Sequence, residues 1–257
     1  MLNIKKEDAL HKKALIIAHF NILGALRSDT VESLSYFHNI YNRIILVSTC
    51  LSAEDKSKIP DYVEIITREN YGYDFYSYRQ GILKLKDEDI NWQVTLMNTS
   101  FIIVDPEKLC DSYLKPITKV VSSEFIGLTH SVEIKEHLQS YLLTFSATLL
   151  RDGRFFNWWE NMVPLNDKDE IITEYEIGIS QHVRELGYEL SAALKGPVSG
   201  SYPNTSHIKF GELLNKYGII KITLIRDNPY NLDLGIIYSR MQSDNKFNNM
   251  ILEGLLN

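Results

Sequence analysis

The first hundred residues alternate between two hydrophobic periods, and this alternation constrains the fold more than any other feature of the chain. Residues 14–20, 43–48 (RIILVS), 62–67 (YVEIIT) and 93–98 (QVTLMN) are short apolar runs rich in β-branched side chains. That is the pattern of strands buried on both faces. Between them, residues 28–41 put Val31, Leu34, Phe37 and Tyr41 on one helical face, and 75–85 reads as a second helix. Asp29 and Glu32 have the spacing of a capping box. The β-α-β-α-β rhythm predicts an α/β fold: a Rossmann-like, mainly parallel mixed sheet flanked by helices and joined by right-handed crossovers. Such sheets bind ligands beyond the carboxyl ends of their strands. The rule selects His19 and Asn21, Ser48 and Thr49, residues 68–74 and residues 98–100 as the places to look for chemistry.

The second half is more mixed. Residues 124–129 and 219–225 read as strands, and 154–162, 170–186, 207–217 and 235–256 as helices. Residues 195–204 (KGPVSGSYPN) read as a loop. No repeat, low-complexity tract or linker interrupts the chain, so one domain over residues 1–257 is expected.

Composition removes several classes. With 44% hydrophobic residues the chain is too apolar to be disordered. A net charge of −6 opposes non-specific nucleic-acid binding. Cys50 and Cys110 are too few for a disulfide framework and lack zinc spacing, which fits a reducing compartment. The apolar run ALIIAHF is too short for a signal-peptide core or a membrane span. The expected location is therefore cytoplasmic, with docking at the inner face of the membrane as a further expectation.

Three absences narrow the enzymes. No G-x-G-x-x-G follows a strand, no G-x-x-x-x-G-K-[ST] occurs, and no G-x-S-x-G forms a nucleophile elbow. Against a methyltransferase, this chain has neither a glycine-rich turn after its first strand nor an acidic end to its second. What remains is Arg68-Glu-Asn-Tyr-Gly-Tyr-Asp-Phe75 after the third strand. Gly72 permits a tight turn, and Asn70 and Asp74 can bond to backbone or to ligand hydroxyls. The following helix would aim its N-terminus at a diphosphate. The plainer reading is an Asx-capped strand-to-helix turn.

This segment, RENYGYDFYSYRQGIL, resembles the signature of the rhamnan synthesis F family. Further matches run in order: Leu96-Met-Asn-Thr-Ser100, His137-Leu-Gln-Ser-Tyr141, Trp158-Trp159, Glu174-Tyr-Glu-Ile-Gly178, Asn204-Thr-Ser-His207 and Lys221-Ile-Thr-Leu-Ile-Arg-Asp-Asn-Pro229. The resemblance implies a glycosyltransferase of cell-surface polysaccharide assembly. A looser similarity to inverting transferases of the GT-A fold adds an N-x-G loop at Asn70–Gly72 and a helix from Tyr175 to Gly187. It implies a nucleotide-sugar half (1–100) and an acceptor and catalytic half (101–257).

The resemblance also assigns roles. Glu176 falls where the general base sits, the carboxylate that takes the acceptor's proton. Its plainer reading, with Glu174, is a solvated acidic helix start. His19, Arg68, Asn70, Gly72, Asp74, Asn98 and Ser100 fall in the donor region, and His137 and Gln139 in the acceptor region. The usual charge compensation for the leaving diphosphate is Mg²⁺ or Mn²⁺ on D-x-D carboxylates. Here Asn98-Thr99-Ser100 carries none, which leaves His207, Asn98 and Ser100 as a weak ligand set, or Arg68 or Arg79 as substitutes. The expected partners are a dTDP- or UDP-sugar, rhamnose being the first guess, and a glycan or lipid-linked glycan acceptor. The alternative is a non-catalytic relative that keeps the fold and acts as a scaffold. The aromatic run 155–159 reads as core or as a sugar-stacking face.

Overall fold

A computed structural model describes residues 12–86, 91–118, 124–196 and 204–256. The charged N-terminal stretch and most of the 195–204 loop lie outside the described residues. The strands are β1 (Lys12–His19), β2 (Arg43–Ser48), β3 (Val63–Thr67), β4 (Trp92–Asn98), β5 (Phe101–Ile103), β6 (Glu124–Ser131), β7 (His137–Leu138), β8 (Leu142–Phe145), β9 (Glu189–Leu194) and β10 (Ile219–Lys221). The main sheet runs β3-β2-β1-β4-β8-β6, with β7 and β9 both paired to β6. β1 to β4 are mutually parallel; β8 is antiparallel to β4 and β6, and β9 is parallel to β6. This is the expected fold class: a mainly parallel, Rossmann-like mixed sheet with helices on its faces.

Burial explains why β1 reads as a continuous apolar run. Leu15 and Ile17 join the core on one face, with Leu34, Phe37 and Ile44. Ala14, Ile16 and Ala18 join the other, with Phe75, Tyr78 and Ile82 of the Tyr73–Lys86 helix. Side chains alternate across a strand, so both periods must be apolar when both faces are covered. Phe155 and Trp159 are buried in the second core, beside Phe145 and Phe75, which assigns the aromatic run mainly to packing. A third core forms where the C-terminal helices, including Asn245–Leu255, cover the β5–β10 ribbon.

Four local expectations are corrected. The Ser28–His38 helix has no side-chain cap; Asp29 instead turns inward, because the buried Arg27 guanidinium claims its carboxylate at 2.8 Å. The strand expected over 219–225 stops at Lys221, since its partner β5 is only three residues long, and Ile222–Asp227 is helical. The terminal helix breaks at Asp244, whose carboxylate caps the second piece by accepting from the Phe247 N–H. The 170–186 helix contains a wider, π-helical turn, Ile172–Ile177, between Lys168–Ile171 and Gly178–Glu185. Strands β8 and β9 carry no expectation from the sequence; their registers come from partners far along the chain.

Candidate active site

The carboxyl ends of β1, β2, β3 and β4 lie in register: His19 pairs with Ser48, Ser48 with Thr67, and Ala18 with Asn98. Beyond them are two cavities. The first, about 540 Å³, is lined by His19, Thr49, Arg68, Asn70, Asp74 and Arg226, among others. The second, about 820 Å³, takes in Glu176, His137, Gln139, Asn98, His207 and Lys221. Asp74, Ser100 and Thr223 line both, so they form the seam between the two chambers.

The loop after β3 is built around Arg68. Its guanidinium donates to the Ser77 hydroxyl at 2.9 Å and to the carbonyls of Glu69, Tyr71 and Tyr73. The arginine therefore knits the loop while lining the first cavity. Gly72 turns at φ 70°, and a Cβ there would lie 2.7 Å from the Tyr76 Cβ. Its place is in the turn; it lines neither cavity. The turn delivers Asp74 into the seam. Arg79 does not line either cavity: it donates to the carbonyls of Trp159 and Glu160, so it is withdrawn as a substitute for a cation.

A chain of hydrogen bonds crosses the seam. Lys221 Nζ donates to Ser100 Oγ at 2.6 Å, Ser100 Oγ to Asn98 Oδ1 at 2.6 Å, and Asn98 Nδ2 to Asp74 Oδ2 at 2.7 Å. Burial pushes the Asp74 carboxyl up to about 6, against the pull of Asn98 and Lys221. Burial brings the Lys221 ammonium down to about 8, with Glu176 and Asp74 opposing. The ammonium also lies 4.3 Å from the Tyr141 ring centroid.

Glu176 sits in the π-helical turn, a feature that often marks functional sites. Its carboxylate accepts from the Ser140 N–H at 3.0 Å and lies 3.9 Å from His137 Nε2. Glu174, two residues earlier, is exposed. Glu176 thus faces the second cavity, whereas Glu174 faces solvent.

The remaining histidines and Gln139 are engaged by the protein. His19 pairs its ring nitrogens with the Ser48 hydroxyl at 2.9 Å and the Ala25 carbonyl at 3.0 Å, so it offers the first cavity its ring surface rather than a free nitrogen. His137 Nδ1 donates to the Lys135 carbonyl at 2.7 Å. Gln139 bonds the Thr129 hydroxyl at 2.8 Å and the Asn204 side chain at 3.1 Å, fixing Asn204 on the wall of the second cavity. His207 Nε2 bonds the Thr223 hydroxyl at 3.0 Å, and its Nδ1 is buried with no hydrogen-bond partner. Burial, reinforced by the Lys221 charge, holds its ring down to about 4.

Two of the three residues expected to hold a metal, Asn98 and Ser100, do not fit one. A hard cation needs oxygen ligands with lone pairs to spare. Asn98 Oδ1 already accepts from the Ser100 N–H and hydroxyl, and Ser100 Oγ faces the Lys221 ammonium. Among the described residues, no three His, Cys, Asp or Glu side chains cluster as a ligand set.

Lys221, which lines the second cavity and bonds Ser100 at the seam, carries no expectation from the sequence. Its signal is a lone charge inside an apolar run, Ile219-Ile220-Lys221-Ile222, which a buried strand tolerates only when the charge has partners.

Fold and cleft together define an α/β protein with a two-chambered site at the carboxyl edge of its parallel strands. The chain belongs to the rhamnan synthesis protein F family, whose model matches residues 44–217. An uncharacterised protein of Sinorhizobium fredii, y4gN, is 29% identical over 58% of this chain and 40% of its own length. The virulence protein VirA of Vibrio anguillarum is 27% identical over 64% of this chain and 62% of its own. The chain thus spans about half the length of these curated relatives. Among solved structures, glucosyl-3-phosphoglycerate synthase of Mycobacterium tuberculosis, bound to Mn²⁺, uridine diphosphate and phosphoglyceric acid, is 10% identical with a TM-score of 0.47 over 88% of this chain and 81% of that one. The 4-diphosphocytidyl-2C-methyl-D-erythritol synthase of Anaerococcus prevotii is 13% identical with a TM-score of 0.45 over 73% and 88%.

Proposed function

We propose that this protein is a glycosyltransferase that moves a sugar from a nucleoside-diphosphate donor to a hydroxyl of a surface-polysaccharide acceptor. The observation that carries the reading is the pair of cavities meeting at one seam, with a carboxylate, Glu176, lining the second chamber. Group transfer between two bound molecules needs this arrangement: each reactant in its own chamber, the reacting atoms at the junction. Membership of the rhamnan synthesis protein F family supports the sugar chemistry.

The donor nucleotide lies in the first cavity, against His19, Arg68, Asn70 and Asp74, with Asn98 and Ser100 at the diphosphate. The acceptor lies in the second, near His137 and Gln139. The acceptor oxygen attacks the anomeric carbon and its proton passes to the Glu176 carboxylate. The anomeric C–O bond breaks, its electron pair stays on the diphosphate, and the nucleoside diphosphate leaves. Attack opposite the leaving group inverts the anomeric configuration. The donor is a dTDP- or UDP-sugar, rhamnose first, and the acceptor a glycan, lipid-linked at the cytoplasmic face of the membrane. Among the described residues no helix is long and apolar enough to cross a membrane. The place of Glu176 in the cleft supports catalysis over the scaffold alternative.

The test is release of nucleoside diphosphate from a panel of UDP-, dTDP- and GDP-sugars in the presence of glycan acceptors. One donor should be consumed, and Glu176→Gln should reduce turnover roughly 10²- to 10⁴-fold. Turnover unchanged in a folded Glu176→Gln variant would remove the base. Thermal stabilisation by a nucleotide sugar, with no release under any condition, would favour the scaffold.

A further inference from the structure

We propose that Lys221 supplies the positive charge that holds the donor's diphosphate, in place of a divalent cation. This inference rests on the transferase reading above and assigns the charge compensation within it. When the anomeric C–O bond breaks, negative charge develops on the diphosphate oxygens at the junction between donor and acceptor. That junction is the seam lined by Asp74, Ser100 and Thr223. Lys221 Nζ lies 2.6 Å from Ser100 Oγ, so the ammonium stands beside the atom that would have to ligate a cation. Bringing a divalent ion to Ser100 would set two positive centres against each other.

The surroundings hold the ammonium in place and leave it capacity. Strand β10 pairs antiparallel with β5, setting Lys221 opposite Phe101, one residue beyond Ser100. The Tyr141 ring covers one side of the charge at 4.3 Å from its centroid. The relay through Ser100 and Asn98 ends on the Asp74 carboxylate, which balances the charge while the donor site is empty. An ammonium has three donors, and one is spent on Ser100. The residue is only 9% exposed, so its charge is little screened. The other cations lining the chambers are placed differently. Arg68 is spread over four acceptors in the loop and the helix that follows it, Arg226 is paired with its neighbour Asp227 at 2.9 Å, and Lys168 is exposed.

The experiment is titration of the purified protein with UDP, dTDP, GDP and CDP, in EDTA and again with Mg²⁺ or Mn²⁺. Wild type should bind at least one of them equally well in both conditions. Lys221→Met should lose about 10- to 100-fold in affinity, the loss of one or two charge-assisted hydrogen bonds. Lys221→Arg should recover most of it. Binding that appears only with the metal, or a folded Lys221→Met that binds like wild type, would overturn the inference and leave the transferase reading standing. No binding by wild type in either condition would overturn the transferase reading itself. If Lys221→Met fails to fold, the EDTA arm on wild type decides: binding supports the inference and a metal requirement overturns it.

Discussion

Glu176 and Lys221 show how differently two charged residues advertise themselves. Glu176 stands beside a helical face of apolar residues and belongs to a recognisable motif, so sequence places it in a helix and selects it over Glu174. Lys221 is invisible to periodicity, because a lysine in a three-residue strand reads equally well as a solvent-exposed stem. Only the pairing of β10 with β5 brings it to Ser100. The Glu176→Gln variant should stay folded, because the amide oxygen can still accept from the Ser140 N–H. His207 permits a stability prediction. Its folded ring is held down to about 4, while the unfolded ring titrates near 6.5. Between these values the unfolded chain binds the proton and the native state does not, so stability falls as pH drops through the window. The contribution lost from pH 6.5 to 5 is about 2 kcal/mol. Asp74 acts in the opposite sense: its carboxyl, raised to about 6, holds a proton in the folded state that the unfolded state releases above 3.8. Urea unfolding at pH 7 and pH 5 of wild type and His207→Gln separates the two. The drop between the two pH values should be smaller in the variant, and an equal drop would mean that the native ring is already charged.

At the scale of elements, β1, β2 and β4 are legible because both of their faces are covered, and apolar runs of that kind have few other uses; β3, at the sheet edge, is only partly buried and shows itself by its β-branched residues. Strands β8 and β9 are not legible, because their pairing is set by β4 and β6 from distant parts of the chain. The π-helical turn is not legible either: Ile171, Tyr175, Ile179 and Val183 keep four-residue spacing straight through it. Three hydrogen bonds from two buried residues hold the seam to the scaffold. Arg27 donates to the carbonyls of Thr99 and Phe101, while Asp29 accepts from the Ile103 N–H at 2.7 Å, pinning the turn that carries Ser100. Gly81 lets the Tyr73–Lys86 helix, which begins at the seam with Asp74, lie close to β1. A Cβ there would stand 2.5 Å from Ile16 Cγ2. Gly81→Val should therefore destabilise the protein by about 1–3 kcal/mol in urea unfolding. Unchanged stability would show that the helix is free to lift from the sheet.

At the scale of the whole molecule, the C-terminal helices have a second role beyond burying their own apolar faces. By covering the β5–β10 ribbon they fix the strand that carries Lys221, and the Ile222–Asp227 helix brings Thr223 and Arg226 to the cavity walls. The first cavity thus draws its walls from both the first and the last third of the sequence, a closure that the alternating first hundred residues do not reveal. The loop at 68–74 and Glu176 are readable from motifs; the seam that joins them needs the fold. On the transferase reading, this seam separates a donor chamber from an acceptor chamber. A crystal structure with the nucleoside diphosphate that binds best in solution tests it most directly. The nucleotide should occupy the 540 Å³ cavity, its base beside His19 and Thr49 and its diphosphate reaching Ser100. Density for the nucleotide outside that cavity would contradict it.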